Sequence, residues 1–89
     1  MKSYKITVSG MVQGVGYRYF CYKKAMEYSI KGYAKNLYNG KVEVVAQGEK
    51  GLINDFIRDL NTGPHYASVK SVNTEEIEPE KEYTEFSIY

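Results

Sequence analysis

The sequence predicts a single α+β domain in which two helices pack on one face of an antiparallel sheet. Three observations predict this fold. Apolar and polar residues alternate in several short segments, two longer segments carry apolar residues at helical spacing, and an Asn39-Gly40 pair stands between two extended segments. The chain has 89 residues, which is the size of one domain and too few for a second hydrophobic core.

The first half of the chain reads as a strand, a glycine-rich loop and a helix. Residues Tyr4 to Val8 alternate apolar and polar side chains, as a half-buried strand does. The stretch from Ser9 to Arg18 reads SGMVQGVGYR and contains three glycines. A helix is predicted from Tyr17 to about Ser29, because several of its apolar residues fall on one face. These residues are Tyr17, Cys21, Ala25 and Tyr28.

The middle of the chain predicts a hairpin. An extended segment from Gly32 to Asn36 leads to Asn39-Gly40, a pair typical of tight turns because both residues accept a positive φ. The returning strand from Lys41 to Gln47 places Val42, Val44 and Ala46 on one face.

The last third of the chain predicts a second helix and two strands. The helix carries an apolar stripe, and Gly63-Pro64 follows it as a stop signal. The stripe consists of Leu52, Ile53, Phe56, Ile57 and Leu60. Strands are expected around Val69 to Val72 and from Glu85 to Tyr89, with the acidic segment EIEPEKE between them as a solvated connection. The resulting order β-α-β-β-α-β, with a short extra strand allowed, predicts the ferredoxin-like sandwich.

The composition narrows the classes of function. A formal net charge of +1 gives no electrostatic footprint for nucleic acid or for an anionic membrane. The single cysteine, Cys21, excludes an internal disulfide and a cysteine-built zinc site. No signal peptide or membrane-spanning run is visible, so a cytoplasmic location is expected.

The glycine-rich loop is the first candidate for a site. Its glycines do not match the dinucleotide pattern, and no Gly-Lys-Ser/Thr follows. A loop that enters a helix N-terminus presents unpaired N–H groups to an anion, and the helix dipole adds positive charge. Arg18 lies in the first helical turn, where a cation is unfavourable unless an anion sits beside it. Arginine is scarce here, with two against ten lysines, and Arg58 falls opposite an apolar stripe where a solvated role suffices. A tight structural turn with a surface arginine explains the loop equally well at this point.

Two motifs carry a resemblance to a known family. VSGMVQGVGYRYF closely resembles the acylphosphatase signature Gly-x-Val-Gln-Gly-Val-x-Phe/Tyr-Arg. The segment from Gly32 to Leu37, together with Asn39-Gly40 and Val42-Glu43-Val44, resembles the second signature of that family. Met11 stands where a basic residue is common and Tyr17 where phenylalanine is commoner, which leaves substrate preference open.

The resemblance implies an enzyme that hydrolyses the carboxyl–phosphate bond of acyl phosphates to carboxylate and inorganic phosphate. It implies that Arg18 grips the phosphate together with loop amides and that Asn36 positions the attacking water. The implied phosphate-binding loop consists of Gln13, Gly14, Val15, Gly16, Tyr17 and Arg18. We expect no cofactor, no metal and no nucleic-acid or membrane partner. The protein is expected to act as a monomer, with inorganic phosphate as product and competitive inhibitor.

Two residues with reactive side chains, Cys21 and His65, are not expected to take part in catalysis. In cysteine phosphatases the thiolate precedes the arginine. Cys21 instead follows Arg18, and it lies on the apolar face of the predicted helix. We therefore expect it in the core. His65 is a lone loop histidine without a clustered acid, so a solvent-exposed role is expected.

A single-stranded RNA-binding module is the alternative function. RNA-recognition motifs share the βαββαβ order, and KGYAKNLY from Lys31 to Tyr38 partly matches their octamer. Ten tyrosines could supply stacking rings. However, the octamer requires an aromatic residue at position 35 and a valine at position 36, where Lys35 and Asn36 stand. The segment also follows the first helix instead of forming the third strand.

Overall fold

The structure is a computed structural model that describes residues 1–89, and it contains five strands and two helices. In chain order these are β1 (Lys2–Met11), α1 (Tyr17–Glu27), β2 (Lys31–Asn36), β3 (Val42–Gly48), α2 (Lys50–Thr62), β4 (Ser68–Glu76) and β5 (Phe86–Ile88). The predicted order is confirmed, including the short extra strand, and β4 is longer than the segment expected from its alternation.

The strands form one sheet in the order β4-β1-β3-β2-β5. The pairs β1–β3, β1–β4 and β2–β3 are antiparallel, as the ferredoxin-like fold predicts. The last strand, β5, runs parallel to β2 at the far edge, so the sheet is mixed and not wholly antiparallel. The parallel pairing follows from the directions of the strands. β4 and β5 lie at opposite edges of the sheet, so the connection between them crosses it. Because β4 ends at the same end of the sheet at which β5 begins, β5 runs in the opposite direction to β4 and parallel to β2.

Both helices cover one face of the sheet, and the core lies between the two layers. The face of α1 that the sequence predicts is buried at Tyr17, Cys21 and Ala25. The stripe of α2 is buried at Ile53, Phe56 and Leu60. These side chains pack on Ile6, Val8, Val42, Val44 and Ala46 of the two central strands. Neither helix has the length and hydropathy needed to cross a bilayer.

Helix α1 ends at Glu27, two residues before the predicted end. Tyr28 caps the helix, and Ser29 adopts a left-handed φ of 57° that directs the chain into β2. Ile30 then enters the core and donates its N–H to the carbonyl of Ala25 at 2.8 Å. A backbone reversal at a serine has no strong sequence signal, which is why the pattern alone placed the end too late.

The connection between β4 and β5 packs on the other face of the sheet. Its charged side chains, such as Glu78, Glu80 and Glu82, are exposed as expected. Its main chain, however, is fastened by Gln47 of β3, whose amide donates to the carbonyl of Lys81 at 2.7 Å and accepts from the N–H of Tyr83 at 2.8 Å. Gln47 is consequently only 2% exposed. The connection is therefore solvent-exposed, as predicted, while Gln47 holds its main chain to the sheet.

Candidate active site

The loop between β1 and α1 turns through two glycines in left-handed conformation. Gly14 has a φ of 76° and Gly16 a φ of 79°, and no protein atom lies within 4 Å of where a Cβ would stand on either residue. Gly10 differs, because a Cβ there would lie 2.2 Å from the carbonyl oxygen of Ser68 at the bulge between β1 and β4. Gly10 is therefore required by packing, whereas Gly14 and Gly16 are required by a backbone path that curves beside open space.

The same loop leaves its main-chain donors free. The first helical hydrogen bond of α1 runs from the N–H of Phe20 to the carbonyl of Gly16 at 3.0 Å. No N–H group from Gly14 to Tyr19 donates to an acceptor within the protein. Gly16 offers no capping side chain, and the first turn contains no acidic residue. The positive end of α1 is therefore not neutralised by the protein, and it can receive an anion.

Arg18 stands at the edge of this loop in the first turn of α1. Its Nη1 donates to the main-chain oxygen of Tyr89, just after β5, and no Asp or Glu carboxylate forms a salt bridge with it. A cleft of about 180 Å³ lies between the loop and the end of β5. It is lined by Val12, Gly14, Gly16, Tyr17, Arg18, Tyr19 and Ile88. The structure thus brings Arg18 and the predicted loop to one cleft.

Asn36 lies beside this cleft but is not part of its lining. It is the last residue of β2, it is exposed, and its side-chain amide makes no hydrogen bond within the protein. Two contacts place it near the loop. Tyr89, which accepts the hydrogen bond of Arg18, donates its own N–H to the carbonyl of Ala34 at 2.9 Å. Ala34 precedes Asn36 by two residues in β2. On its other side, Leu37 is held by Gln13.

Gln13 makes the direct link between the loop and the β2–β3 turn. Its Nε2 donates to the carbonyl of Leu37 at 2.8 Å and to the carbonyl of Lys41 at 2.9 Å. The family resemblance implies a place for Gln13 in the phosphate-binding loop but no role for its side chain. The partners are 24 and 28 residues away in the chain, so no local pattern could reveal the contact.

The hydroxyl of Tyr17 lies away from the free amides. It donates to the carbonyl of Leu60 in α2 at 2.7 Å, and burial raises the pKa of the phenol, which therefore stays protonated. The departure from phenylalanine at this position adds a tie between the helices. Met11, the other departure, is 63% exposed. Val15 of the loop is partly buried against the core.

Cys21 and His65 lie in the environments that the sequence predicts. Cys21 is fully buried in the core, and burial raises the pKa of its thiol, so no thiolate forms there near neutral pH. His65 is exposed, and its ring contacts the ring of Tyr66 edge-on. No group of three or more His, Cys, Asp or Glu side chains is arranged to hold a metal ion.

A larger hollow of about 330 Å³ lies on the other face of the sheet, under the β4–β5 connection. Its lining is rich in carboxylates, among them Glu43, Glu75, Glu78 and Glu80. Such a surface repels an anionic substrate. The smaller cleft at the start of α1 is therefore the one whose chemistry suits a phosphate.

The open face of the central strands carries no stacking ring. Opposite the core-facing residues, β1 presents Lys5 and Thr7, and β3 presents Glu43, Val45 and Gln47. Base stacking on a sheet needs aromatic side chains at such positions. The neighbouring strand β2 adds Tyr33 on this face, where its ring contacts Tyr83 and Tyr89 and its hydroxyl donates to Glu43. The central strands thus lack the rings that the RNA-binding alternative requires, and no second function is proposed.

Comparison with known proteins gives a consistent result. The family model described as Acylphosphatase matches residues 4–88. The chain is 43% identical over 88 residues to an acylphosphatase of Caldanaerobacter subterraneus subsp. tengcongensis, covering 99% of this chain and 98% of the relative.

Solved structures agree in fold. The crystal structure of acylphosphatase from Bacillus subtilis superposes with a TM-score of 0.96 at 32% identity, covering 100% of this chain and 99% of that one. The structure of an acylphosphatase from Coxiella burnetii superposes with a TM-score of 0.94 at 42% identity, covering 99% of this chain and 92% of that one.

Proposed function

The chain belongs to the acylphosphatase family and is an acylphosphatase enzyme, and from this premise we propose how its residues divide the hydrolysis of an acyl phosphate. The observation that supports the proposal is the cleft at the start of α1, where Arg18 stands beside a run of free amides from Gly14 to Tyr19. In this proposal the phosphoryl group occupies the cleft, with the loop from Gln13 to Arg18 as its cradle.

The cradle supplies donors of two kinds. The loop amides point at the phosphoryl oxygens at the positive end of α1, where negative charge is favoured. A guanidinium has five N–H donors in a planar fork, and the contact of Nη1 with Tyr89 uses one of them. The remaining donors of Arg18 bind the phosphoryl oxygens, and the contact with Tyr89 fixes the orientation of the guanidinium. Because charge spreads over these oxygens in the transition state, the same donors bind that state more tightly.

Asn36 orients the attacking water. Its side-chain amide is exposed, unpaired and borne by the end of a strand that is bonded to β3 and β5. The water oxygen bonds to phosphorus as the bond between phosphorus and the acyl oxygen breaks, and the carboxylate leaves with the bonding electrons. The proton of the water passes to a phosphoryl oxygen. A carboxylate leaving group has a pKa of about 4, so it departs without a general acid.

The substrate class is therefore small-molecule acyl phosphates, and inorganic phosphate is both product and competitive inhibitor. The cradle and the water-orienting amide belong to one chain, so this mechanism requires neither a second subunit nor a cofactor, and we propose that the enzyme acts as a monomer.

Replacing Asn36 by alanine tests the proposal. Turnover of benzoyl phosphate in the presence of EDTA is expected to fall about 10²- to 10³-fold, because one preorganised catalytic side chain is lost. The inhibition constant of inorganic phosphate should stay within about twofold of the wild-type value, since Asn36 has no ground-state contact with phosphate in this account.

The matched control is Asn73→Ala, an exposed asparagine of β4 on the opposite edge of the sheet, which should keep wild-type turnover. Circular dichroism establishes that both variants are folded. Weakened phosphate inhibition with retained turnover in Asn36→Ala would assign Asn36 to binding and leave the water without its guide.

A further inference from the structure

Gln13 joins the two halves of the proposed site. Its neighbour in the chain, Gly14, begins the run of free amides, and its side chain contacts Leu37, the residue after Asn36. We propose that Gln13 is a positioning residue that sets the distance between the phosphate cradle and the water-orienting amide of Asn36. This inference rests on the proposed roles of the cradle and of Asn36, and it assigns Gln13 a side-chain function beyond the main-chain contribution of the loop.

The chemistry of the contact requires an amide. Both partners are carbonyl oxygens, so the atom between them must donate two hydrogen bonds, and the NH₂ group of glutamine does so. Glutamate would place an acceptor against two acceptors. The contacts are 2.8 and 2.9 Å long, within the normal range for N–H···O bonds, and the site is partly buried.

The turn that Gln13 holds is already closed on itself. The N–H of Leu37 donates to the carbonyl of Lys41 at 2.8 Å, and the N–H of Gly40 donates to the carbonyl of Leu37 at 3.2 Å. The N–H of Lys41 also donates to the side chain of Asn39 at 3.0 Å. The β2–β3 turn therefore does not need Gln13 in order to form. What Gln13 adds is the position of the turn relative to the loop.

That location matters for catalysis because reaction geometry is narrow. A displacement of about 1 Å between a reacting group and its partner can cost about 10²-fold in rate. Without Gln13 the hydrogen bonds within the turn remain, but the two side-chain hydrogen bonds that join the turn to the loop are lost. The expected consequence is a loss in turnover that passes through Asn36, with phosphate binding by the cradle preserved.

The test compares two glutamines that each fasten a loop. Gln13→Met keeps the length and the apolar stem and removes both donors. Gln47→Met does the same to the glutamine that holds the β4–β5 connection on the far face of the sheet. Gln13→Met is expected to lower kcat for benzoyl phosphate by about 10- to 100-fold, with the inhibition constant of phosphate within about twofold of wild type. Gln47→Met should lower Tm and leave kcat unchanged. If Gln13→Met does not fold, Gln13→Asn replaces it, since its amide is one methylene too short to reach both carbonyls.

A double-mutant cycle with Asn36→Ala decides whether Gln13 acts through Asn36. In the Asn36→Ala background, Gln13→Met should cost less than about threefold in kcat, because the side chain that it positions is gone. Independent effects that multiply would overturn the inference and leave the role of Asn36 intact, as would a loss that appears in the phosphate inhibition constant and not in kcat. Full activity of Asn36→Ala itself would instead overturn the proposed function on which the inference rests.

Discussion

The two helices of this protein begin in opposite ways. Helix α2 starts at Glu49, which has an extended backbone and a side chain that accepts a hydrogen bond from the N–H of Gly51 at 3.0 Å. Helix α1 starts at Gly16, which is left-handed and has no capping side chain, and its first turn contains Arg18 instead of an acid. One helix end is completed by its own sequence, and the other is left with free donors and a cation.

The two arginines show the same contrast. Arg58 of α2 is two-thirds exposed and pairs with Asp55 at 3.1 Å and with Asp59 at 3.5 Å, on its own helix. Arg18 has no Asp or Glu partner and donates to the main-chain oxygen of Tyr89. A capping side chain contributes about 1 kcal/mol to helix stability, and a cation near a helix N-terminus is unfavourable. The start of α1 gives up this stability, and a bound phosphate would restore it. The candidate site therefore lies where a feature that stabilises helix ends is missing.

The largest expected effect comes from removing the cation of α1. Arg18→Gln should lower kcat/KM for benzoyl phosphate by about 10³-fold or more, the range for an arginine that stabilises phosphoryl transfer. It should also weaken inhibition by inorganic phosphate, because in the proposed mechanism the guanidinium contacts the phosphoryl group in both ground and transition states. Lysine at position 18 should restore little, since an ammonium has no planar two-donor fork. Steady-state kinetics with phosphate as inhibitor measure both quantities.

The matched variant is Arg58→Gln, which removes an arginine from α2. It should leave kinetics unchanged, because the carboxylates around Arg58 already account for its position. Equal kinetic losses in both variants would mean that net charge, and not the cleft at the start of α1, governs activity.

A smaller effect is expected from the glycine at which α1 begins. Gly16→Ala forces an L side chain into a φ of 79°, which costs about 1–2 kcal/mol of folding stability, and it disturbs the run of free amides. We expect a lower Tm and about a tenfold weaker inhibition by phosphate, since several donors lose their alignment. Thermal unfolding with and without phosphate measures both effects.

The control is Gly51→Ala at the start of α2. A Cβ there would stand 3.1 Å from the carboxylate of Glu49, which needs to shift only slightly and can still cap the helix, and alanine favours a helix by up to about 1 kcal/mol over glycine. This variant should be as stable as wild type or more stable, with unchanged phosphate inhibition. If Gly16→Ala bound phosphate as tightly as wild type, the amides of the loop would not form the cradle.

Much of the fold was predictable because its signals are local. The alternation of β1 and β3, the stripe of α2 and the Asn39-Gly40 turn each lie within a few residues, and the structure confirms the elements that they predict. The burial of Cys21 followed from its position on a helix face.

The features that sequence reasoning missed depend on contacts between distant residues. Gln13 reaches Leu37, Gln47 reaches Lys81, and Tyr17 reaches Leu60. In each case a polar side chain bonds to a main-chain carbonyl, and carbonyls carry no sequence label. The clustered glycines and the arginine in the first helical turn are unusual enough to be noticed in the sequence. The hydrogen bonds that connect this loop to the rest of the candidate site are not visible there.

The smallest expected effect lies at a polar contact between the two helices, at residues that do not line the cleft. Asp59 of α2 accepts a hydrogen bond from the hydroxyl of Tyr28 at 2.6 Å and pairs with Lys24 of α1 at 3.3 Å. The hydrogen bond from Tyr28, with the cations Lys24 and Arg58, lowers the pKa of the Asp59 carboxyl. A carboxyl whose pKa is depressed on folding adds stability above its unfolded pKa of about 3.9 and loses that contribution as the pH falls through the folded value.

Asp59→Asn should therefore lower the free energy of unfolding by about 1 kcal/mol at pH 7, since the group is partly solvated, and by less at pH 3. Urea denaturation of both proteins at the two pH values measures the difference, and phosphate inhibition at pH 7 should be unchanged. A destabilisation of the same size at pH 3 would show that the asparagine acts through shape and not through lost charge. A change in phosphate inhibition would show that the contact at Asp59 is coupled to the cleft, and the start of α1 would then not be independent of α2.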